Sequence, residues 1–402
     1  AGLEAAIFQS LGKKIDLNSG PTISELIYEE YKIEAKSFTK TGEPSTDGDS
    51  LKALSEERPD LPWLGLIAKR NDIASLYRTF IATYVEDFVK SDGRIHPLYN
   101  LTGTGSFRIT GEDPNLTQLP RPKHGYNIRD CFIVEEGNCF ITADFSSAEV
   151  KILGALCKDP ALLKAIEEGK DFHSFSASRM LGIEYEAFVE GIEDKTHSKH
   201  KYFKEQRQFA KALTFGILYG SSSAGIAFNI GISKEKAEEL IRLYFNTFPG
   251  IKTYVENTHE MALLNQYVFG PFYQRKHTFG TLPVFKGTAV YNGALRLAQN
   301  VRVQNTASSF GLFCFTKLNQ AIKKIGGKCL CTVYDSIELE VPIDKAAEAV
   351  ELIYYYLNEY PVKYFTWLDL PVGIEVEIGK SWGSAEVVHK GVTQEEILKI
   401  LS

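Results

Sequence analysis

Two apolar segments of the sequence each run directly into an aspartate. They are FITADFSSAEV (140–150), which contains Asp144, and CTVYDSIELEV (331–341), which contains Asp335. Each aspartate alone could serve as an ordinary turn residue or as a helix N-cap. If the two strand ends lie side by side, however, the carboxylates repel each other unless divalent cations lie between them. Such a pair predicts two-metal phosphoryl transfer, in which one ion activates the attacking oxygen and the other stabilises the leaving group.

A segment between the two aspartates, EQRQFAKALTFGILYG (205–220), places cations and aromatic rings at helical spacing. Residues four apart form one stripe on a helix. The stripe consists of Arg207, Lys211, Phe215 and Tyr219. Such a stripe matches a nucleoside triphosphate. The two cations can neutralise the phosphates, and the two aromatic rings can contact the sugar and base. We expect Gly216 and Gly220 to leave room for that ligand. The alternative, an amphipathic core helix, rarely has Arg and Lys on the same stripe as Phe and Tyr.

A second stripe, of hydrogen-bond donors, occurs in ALRLAQNVRVQNTASS (294–309), where Arg296, Asn300 and Gln304 are again four apart. Donors directed at the DNA minor groove meet acceptors that A·T and G·C pairs share, so they test pair geometry without reading sequence. The alternative is a set of polar contacts between buried helices.

The composition is that of a globular protein with two or three subdomains, with 402 residues, 44% of them hydrophobic and 24% charged. The net charge of −6 argues against a nucleic-acid partner, but three basic clusters argue for one. They are RPKHGYNIR (121–129), HSKHKYFKEQR (197–207) and IKKIGGK (322–328). Each cluster taken alone could also be a solvated loop or helix face.

The sequence contains no apolar run that could span a bilayer, and AGLEAAIFQS (1–10) lacks the features of a secretory signal. We therefore expect no membrane association. The expected location is the cytoplasm, the host cytoplasm for a viral protein, or an organelle matrix. The six cysteines form no C-x-x-C pair, so neither a zinc site nor a disulfide framework is predicted.

The elements that must position these residues can be outlined from periodicity. Strands are predicted around DGRIHPLYN, GSFRI and NCFITADF, and again at the hairpin and at VGIEVEIG (372–379). Residues 146–285 are mainly helical, and one long helix runs from Ala289 through Ile325. The pattern therefore predicts a strand-rich core interrupted by a helical insertion. In the hairpin, Ile337, Leu339 and Val341 alternate with Glu338 and Glu340, as in a half-buried strand.

From Leu17 to Trp382 the sequence resembles the family A DNA polymerases. DFSSAE (144–149) is similar to that family's first catalytic motif, RQFAKALTFGILYG (207–220) to its nucleotide-binding helix and VYDS (333–336) to its third motif. GTGSFRI with DPNL (103–116), KDFH (170–173) and RLAQNVRVQNTA (296–307) are similar in order and spacing. The resemblance implies an α+β right-hand fold with an antiparallel-sheet palm, a helical fingers insertion and a partial helical thumb. The implied divisions are 1–57 thumb, 58–145 first palm part, 146–285 fingers and 286–402 second palm part.

The resemblance also implies roles for single residues. Asp144 and Asp335 would be metal ligands together with the backbone carbonyl of Phe145, and Glu149 would pack against the 2′ position of the sugar. The triphosphate would be held by His173, Arg207 and Lys211, and the sugar and nascent base pair by Phe215 and Tyr219. The residues implied at the primer-template are Arg108, Asn115, Arg121, Arg296, Asn300, Gln304 and Tyr334.

The activity so implied is DNA-directed DNA synthesis with two Mg²⁺ ions, for which Mn²⁺ is a substitute. The implied partners are primer-template DNA and dNTPs, with room for a processivity factor or a domain upstream of Ala1, and the chain is expected to be a monomer. A single-subunit RNA polymerase is disfavoured by Glu149, which would obstruct a 2′-hydroxyl. A clamp without catalysis is disfavoured by the presence of both Asp144 and Asp335.

The sequence departs from the family pattern at two places. The third motif commonly reads His-Asp-Glu, whereas here it is Tyr334, Asp335 and Ser336, so a carboxylate beside the metal ligand is missing. Residues 190–203 (EGIEDKTHSKHKYF) form an insertion, which we interpret as a solvated basic loop rather than a metal site built on His197 and His200. In addition, no D-x-E sequence occurs in the chain, so no proofreading exonuclease site is predicted.

Overall fold

The computed structural model describes residues 2–120, 122–273, 275–277 and 286–402. The chain forms two compact units, the first comprising residues up to Leu98 with Asp113–Arg129 and the second comprising Tyr99–Glu112 with Asp130–Ser402. Among the described residues, no helix is long and apolar enough to cross a membrane.

The first unit is helical. Its α-helices are α1 (Gly2–Leu11), α2 (Gly20–Ser24), α3 (Gly48–Glu57) and α4 (Pro62–Leu76). Helix α3 starts where Asp47 accepts the Ser50 N–H, and α4 starts at a proline, whose missing N–H is not needed at that position. The helices enclose a core that includes Ile7, Leu26, Leu51 and Trp63.

The second unit contains the main sheet and most of the helices. The strands among the described residues are β1 (Leu98–Asn100), β2 (Thr110–Glu112), β3 (Asn138–Phe145), β4 (Tyr267–Phe269), β5 (Arg275–His277), β6 (Lys328–Val333), β7 (Ser336–Pro342), β8 (Ile374–Gly379) and β9 (Glu386–Val388). Five of them form one antiparallel sheet in the order β6-β7-β3-β8-β9. The strand predicted at GSFRI (105–109) is wrong, because Phe107 has φ +63°, a left-handed conformation that interrupts a strand before β2 begins.

The described chain between β3 and the hairpin is mainly helical, as the sequence predicted, with β4 and β5 as its only strands. They are α5 (Ala148–Cys157), α6 (Pro160–Glu167), α7 (Phe172–Leu181), α8 (Tyr185–Glu193), α9 (His200–Leu218), α10 (Ser223–Ile230), α11 (Lys234–Thr247), α12 (Pro249–Asn265) and α13 (Ala289–Lys324). After β7 come α14 (Ala346–Tyr354), α15 (Tyr360–Tyr364) and α16 (Gln394–Ile400). Antiparallel sheet and helical insertion together confirm the predicted α+β class.

The register of β3 decides what the sheet presents on each face. Asp144 lies opposite Ser336 of β7 and opposite Glu375 of β8. Because side chains alternate along a strand, Ile141 and Ala143 point to the other face, where they join one apolar core with residues of α13 and α14. That core fixes the strand on which Asp144 is carried.

The expectation that β7 is a half-buried strand is wrong. Glu338 and Glu340 are 0% and 1% exposed, as buried as the apolar residues with which they alternate. The reason is position, because β7 lies between β6 and β3 in the sheet. Alternation of residue types therefore marks two chemically different faces here, both of them covered.

Candidate active site

The two predicted aspartates lie at the same end of the main sheet. Asp144 is paired in register with Ser336, the residue that follows Asp335. The Phe145 N–H donates a hydrogen bond of 3.0 Å to the Asp335 carbonyl, which continues the ladder past the end of β7. The prediction that the two strand ends lie side by side is therefore confirmed.

Asp335 belongs to the two-residue connection between β6 and β7. Its neighbour in that turn, Tyr334, has φ +56° and is 65% exposed, so the tyrosine ring stands at the tip of the hairpin. Two-residue hairpin turns favour a left-handed conformation, which usually selects Asn, Asp or Gly. A tyrosine is unusual in this conformation, and its ring is open to solvent at the tip of the hairpin.

Negative charge accumulates around Asp335. Burial, followed by the charges of Glu149 and Asp144, raises the pKa of Asp335 to about 6, against the opposing charge of Arg108. Carboxylates crowded in this way are stabilised by a divalent cation, and Mg²⁺ prefers oxygen ligands of this kind. The donor set of Asp144, Asp335 and the Phe145 carbonyl thus fits a hard cation. Across the described ranges, no cluster of three or more His, Cys, Asp or Glu side chains is arranged as a metal site.

Glu149 is held from two sides. It lies in the first turn of α5 and is only 6% exposed, so it is not a residue of the helix surface. Arg108 donates to Glu149 Oε1, and the Tyr219 hydroxyl donates to Glu149 Oε2 at 2.6 Å. Burial, followed by Glu149, raises the pKa of Tyr219 to about 12. The carboxylate therefore links Arg108, which precedes β2, to Tyr219 at the end of α9.

Helix α9 presents the predicted stripe on one side. The Phe215 ring lies 5.8 Å from the Tyr219 ring and 5.6 Å from the His173 ring of α7, centroid to centroid. Lys211 is exposed and has no hydrogen bond or ion pair to any residue that the structure describes. The structure therefore brings together the aromatic residues of the stripe and adds His173 to them.

Asp171 is a site residue that sequence reasoning missed. It caps α7 by accepting the Ser174 N–H at 2.8 Å, and it also binds Arg207 in a bidentate pair with distances of 2.9 and 3.0 Å. An aspartate just before a helix is a recognisable N-cap signal, but its pairing with a cation 36 residues away is not local information. Asp171 therefore orients one of the two cations of the stripe.

His173 is nearly enclosed, with 6% of its surface exposed. Burial, followed by the charges of Arg207 and Lys211, lowers the pKa of His173 to about 4, against the opposing charge of Asp171. Its buried Nδ1 atom has no hydrogen-bond partner among the described residues. The imidazole is therefore neutral near pH 7.

The expected role of Gly216 in α9 and of Gly220 just after α9 is wrong. A Cβ atom on Gly216 would lie 2.8 Å from Ile226 Cγ1, and one on Gly220 would lie 2.8 Å from the Cα atom of Arg296. The space beside each glycine is thus taken by another helix, α10 in the first case and α13 in the second, rather than left for a ligand.

Helix α13 carries two different sets of polar residues. In the predicted set, Arg296 is exposed, Asn300 is half-buried and Gln304 is buried. Two further residues make contacts between helices: Gln299 donates to the Ile217 carbonyl of α9, and Arg302 donates to Thr258 Oγ1 of α12 at 2.5 Å. The alternative of buried polar contacts thus describes these two residues, which the sequence did not single out. Within the predicted stripe it also fits Gln304, which is buried and hydrogen-bonds to Tyr219.

Other predicted DNA contacts are distributed over both units. In the first unit, Asn115 caps the short helix Leu116–Gln118, and its Oδ1 accepts the Thr117 N–H at 3.0 Å. Arg121 lies outside the described residues. The neighbouring basic residues Lys123 and His124 both pair with Asp72, so this basic cluster is partly neutralised within the first unit.

Comparison with known proteins gives a consistent result. Residues 1–384 match DNA polymerase family A. Thermostable DNA polymerase I of Thermus filiformis is 32% identical over 387 residues, which cover 96% of this chain and 44% of the relative. DNA polymerase I of Deinococcus radiodurans is 28% identical over 384 residues, which cover 95% of this chain and 38% of the relative. The chain therefore spans less than half the length of these curated relatives.

A solved structure matches over almost the whole chain. It is the POL domain of Pol1 from M. smegmatis in complex with DNA primer-template and dNTP. The TM-score is 0.74 at 29% identity, and the match covers 95% of this chain and 64% of that one.

Proposed function

Because the chain belongs to DNA polymerase family A, we propose that it forms the polymerase portion of a DNA-directed DNA polymerase. It extends the 3′ end of a primer by nucleotidyl transfer from dNTPs, as directed by a template. The observation that carries this proposal is the pairing of β3 with β7, which places Asp144 and Asp335 at one sheet end. The solved relative bound to primer-template and dNTP supports the same substrates here.

Asp144, Asp335 and the Phe145 carbonyl are the residues that would hold two Mg²⁺ ions, or Mn²⁺ in their place. When bound, such ions lower the pKa of an attacking hydroxyl and neutralise charge on the leaving group. The chain's own contribution is to fix the two carboxylates on a buried sheet. Positioning and charge neutralisation of this kind account for most of the catalysis of phosphoryl transfer.

The triphosphate is bound by Lys211, Arg207 and His173. The Lys211 ammonium is available to a phosphate because no described residue pairs with it. Arg207 is held by Asp171 in a geometry that leaves part of the guanidinium for a second anion, since an arginine has five N–H donors. His173, neutral at pH 7, offers a hydrogen bond without a charge.

Phe215 and Tyr219 line the sugar and the nascent base pair, and Glu149 packs against the sugar's 2′ position. The buried hydrogen bonds from Arg108 and Tyr219 support this role, because they prevent the Glu149 carboxylate from moving aside. A 2′-hydroxyl would have to displace it. This favours a DNA polymerase over a single-subunit RNA polymerase.

The primer-template is contacted by Arg108, Asn115, Arg121, Arg296, Asn300, Gln304 and Tyr334. We assign residues 1–57 to the thumb, 58–145 and 286–402 to the palm, and 146–285 to the fingers. In this division the α9 stripe belongs to the fingers and both aspartates to the palm, so closure of the fingers on a correct pair would provide selectivity. In this proposal the chain acts as a monomer without proofreading, and a processivity factor would supply longer synthesis.

Primer extension on a defined template tests this function. With Mg²⁺ and dNTPs, the primer should lengthen by one nucleotide for each complementary dNTP. Little extension should occur when ribonucleotides replace the dNTPs or when a chelator removes the Mg²⁺. A mismatched 3′ end incubated with Mg²⁺ alone should keep its length. Extension that ignores the template sequence, or that proceeds equally with ribonucleotides, would contradict the assignment.

A further inference from the structure

Glu338 is a fully buried carboxylate close to both aspartates. It lies on β7, three residues after Asp335, and is 0% exposed. Burial of a carboxylate is unfavourable unless hydrogen bonds compensate for the lost water. An apolar residue could be buried here without such hydrogen bonds. The contacts of Glu338 therefore indicate why a carboxylate is present.

The two carboxylate oxygens of Glu338 bind two different parts of the site. Thr142 Oγ1 donates to Glu338 Oε2 at 2.6 Å, and Thr142 lies on β3 two residues before Asp144. Ser336 Oγ lies 2.6 Å from Glu338 Oε1, and Ser336 directly follows Asp335. One side chain therefore links the two strands next to each of the proposed metal ligands.

Ser336 in turn closes the hairpin that carries Asp335. Its hydroxyl lies 3.0 Å from the Val333 carbonyl, on the far side of the turn, and its own carbonyl accepts from Thr332 Oγ1 at 2.8 Å. The Thr332 carbonyl accepts from the Tyr99 hydroxyl at 3.1 Å. Side chains thus fix the conformation of the turn. Glu338 holds the Ser336 side chain, which is the one next to Asp335 in sequence.

We propose that Glu338 is a positioning residue that holds Asp144 and Asp335 at the separation required for metal binding, a role that rests on the proposed function. It acts through the hydroxyls of Thr142 and Ser336. The carboxylate that the third motif lacks at position 336 is thereby present two residues further on. Residues i and i+2 lie on the same face of a strand, so the two positions are structurally related.

Glu340 offers a matched control. It is also buried on β7, on the same face, and it also accepts two hydrogen bonds, from Asn138 Nδ2 at 2.8 Å and from the Glu135 N–H at 2.9 Å. These partners lie at the opposite end of β3 from Asp144. Loss of Glu340 should therefore affect folding in a similar way without affecting the metal ligands.

The test compares Glu338→Val, Glu338→Gln, Ser336→Ala, Glu340→Val and Asp335→Asn in the whole chain. Mn²⁺ binding without DNA or nucleotide is measured by electron paramagnetic resonance, together with thermal unfolding and steady-state primer extension. Glu338→Val should weaken Mn²⁺ binding by about tenfold or more, the usual effect of removing a residue that supports metal ligands. It should lower kcat while the KM for dNTP stays near that of the wild type.

Glu338→Gln should restore most of the Mn²⁺ affinity, because the amide oxygen can accept from Thr142 while the amide nitrogen donates to Ser336. Ser336→Ala should also weaken Mn²⁺ binding, as Glu338→Val does. It tests the proposal independently if the valine variant fails to fold. Glu340→Val should lower the Tm and leave Mn²⁺ affinity unchanged.

Two results would overturn the role of Glu338 but not the metal site. The first is Mn²⁺ affinity that is lost in Asp335→Asn but retained in Glu338→Val and Ser336→Ala. The second is a Glu338→Gln variant that is as defective as Glu338→Val. The second result would show that charge, rather than hydrogen-bond geometry, is required. Mn²⁺ affinity unchanged by Asp335→Asn would overturn the metal site itself, and the role of Glu338 with it.

Discussion

At the scale of single residues, Glu149 has the most restrained environment in the site. Arg108 and Tyr219 each occupy one of its carboxylate oxygens, and the side chain is almost completely buried. Removing it would open space where we expect the 2′ position of the incoming sugar. It would also leave the Tyr219 hydroxyl without this partner, so an effect on normal synthesis is expected as well.

Glu149→Ala should raise kcat/KM for ribonucleotides relative to deoxynucleotides. Steric overpacking in a fixed site typically costs about 1–3 kcal/mol, which corresponds to roughly 5- to 150-fold in selectivity. Tyr219→Phe is the control, because it removes the hydrogen bond to Glu149 but keeps both the ring and the carboxylate. Discrimination unchanged in the alanine variant would show that Glu149 is not the steric gate.

His173 should make the protein sensitive to acid. Its pKa is about 4 in the folded chain, below the ordinary value of 6.5, so the unfolded chain binds a proton first as the pH falls. Stability is therefore complete above about pH 6.5 and is lost between there and about pH 4. The expected loss from this group is about 2 kcal/mol between pH 7 and pH 5.

Urea unfolding of the wild type and of His173→Gln at both pH values measures this loss. The glutamine variant should show a smaller decrease in the free energy of unfolding, because the other titrating groups are common to both proteins. Equal decreases would mean that the imidazole is protonated in the folded chain.

At the scale of elements, the packing of α9 against α13 sets the position of the α9 stripe. Gly220, just after α9, has φ +67° and lies against the backbone of Arg296. Gly231, just after α10, has φ +69°, but a Cβ atom added there would meet nothing within 4 Å. Both glycines adopt the left-handed conformation, and only Gly220 is also closely packed.

Gly220→Ala should destabilise the protein more than Gly231→Ala. Both variants should lose about 1 kcal/mol of unfolding free energy, because alanine is strained in the left-handed conformation. Gly220→Ala should lose typically about 1–3 kcal/mol more, because its Cβ atom overpacks against Arg296. Chemical denaturation of the two variants measures the difference. Equal losses would mean that α13 yields easily and does not fix the end of α9.

The contrast between these elements shows what the sequence could and could not predict. The proximity of the Phe215 and Tyr219 rings follows from helical spacing, and the two aspartates follow from strand ends, both of which are local signals. The pairing of Asp171 with Arg207, the interhelical contacts of Gln299 and Arg302, and the burial of Glu338 depend on which element packs alongside. That information is absent from the periodicity of a single segment.

At the scale of the whole molecule, the net charge of −6 opposes DNA binding, whereas the proposed function requires it. Part of the positive charge is also used internally, since Lys123 and His124 pair with Asp72 and Lys328 pairs with Glu135. Under the proposed function, binding therefore rests on local contacts, such as the one proposed for Arg296, and not on the net charge of the chain.

Primer-template affinity should fall log-linearly with salt concentration, with a slope of roughly 0.9 for each phosphate neutralised. If the acidic average governed the encounter, added salt would screen repulsion and strengthen binding instead. Fluorescence anisotropy of a labelled primer-template over a salt series measures the slope. A flat or rising profile would contradict local phosphate contacts.

The central claim is that Asp144 and Asp335 form the catalytic metal site, and single-turnover primer extension by Asp144→Asn and Asp335→Asn tests it most directly. Each variant should lose extension by roughly a hundredfold or more, since metal stabilisation of the transition state is worth several kcal/mol. Primer-template affinity should stay near that of the wild type. Glu375→Gln, which removes a carboxylate opposite Asp144 on β8, should remain active. Extension by either asparagine variant at about a tenth of the wild-type rate or faster, a deficit of only about 1.4 kcal/mol, would contradict the claim.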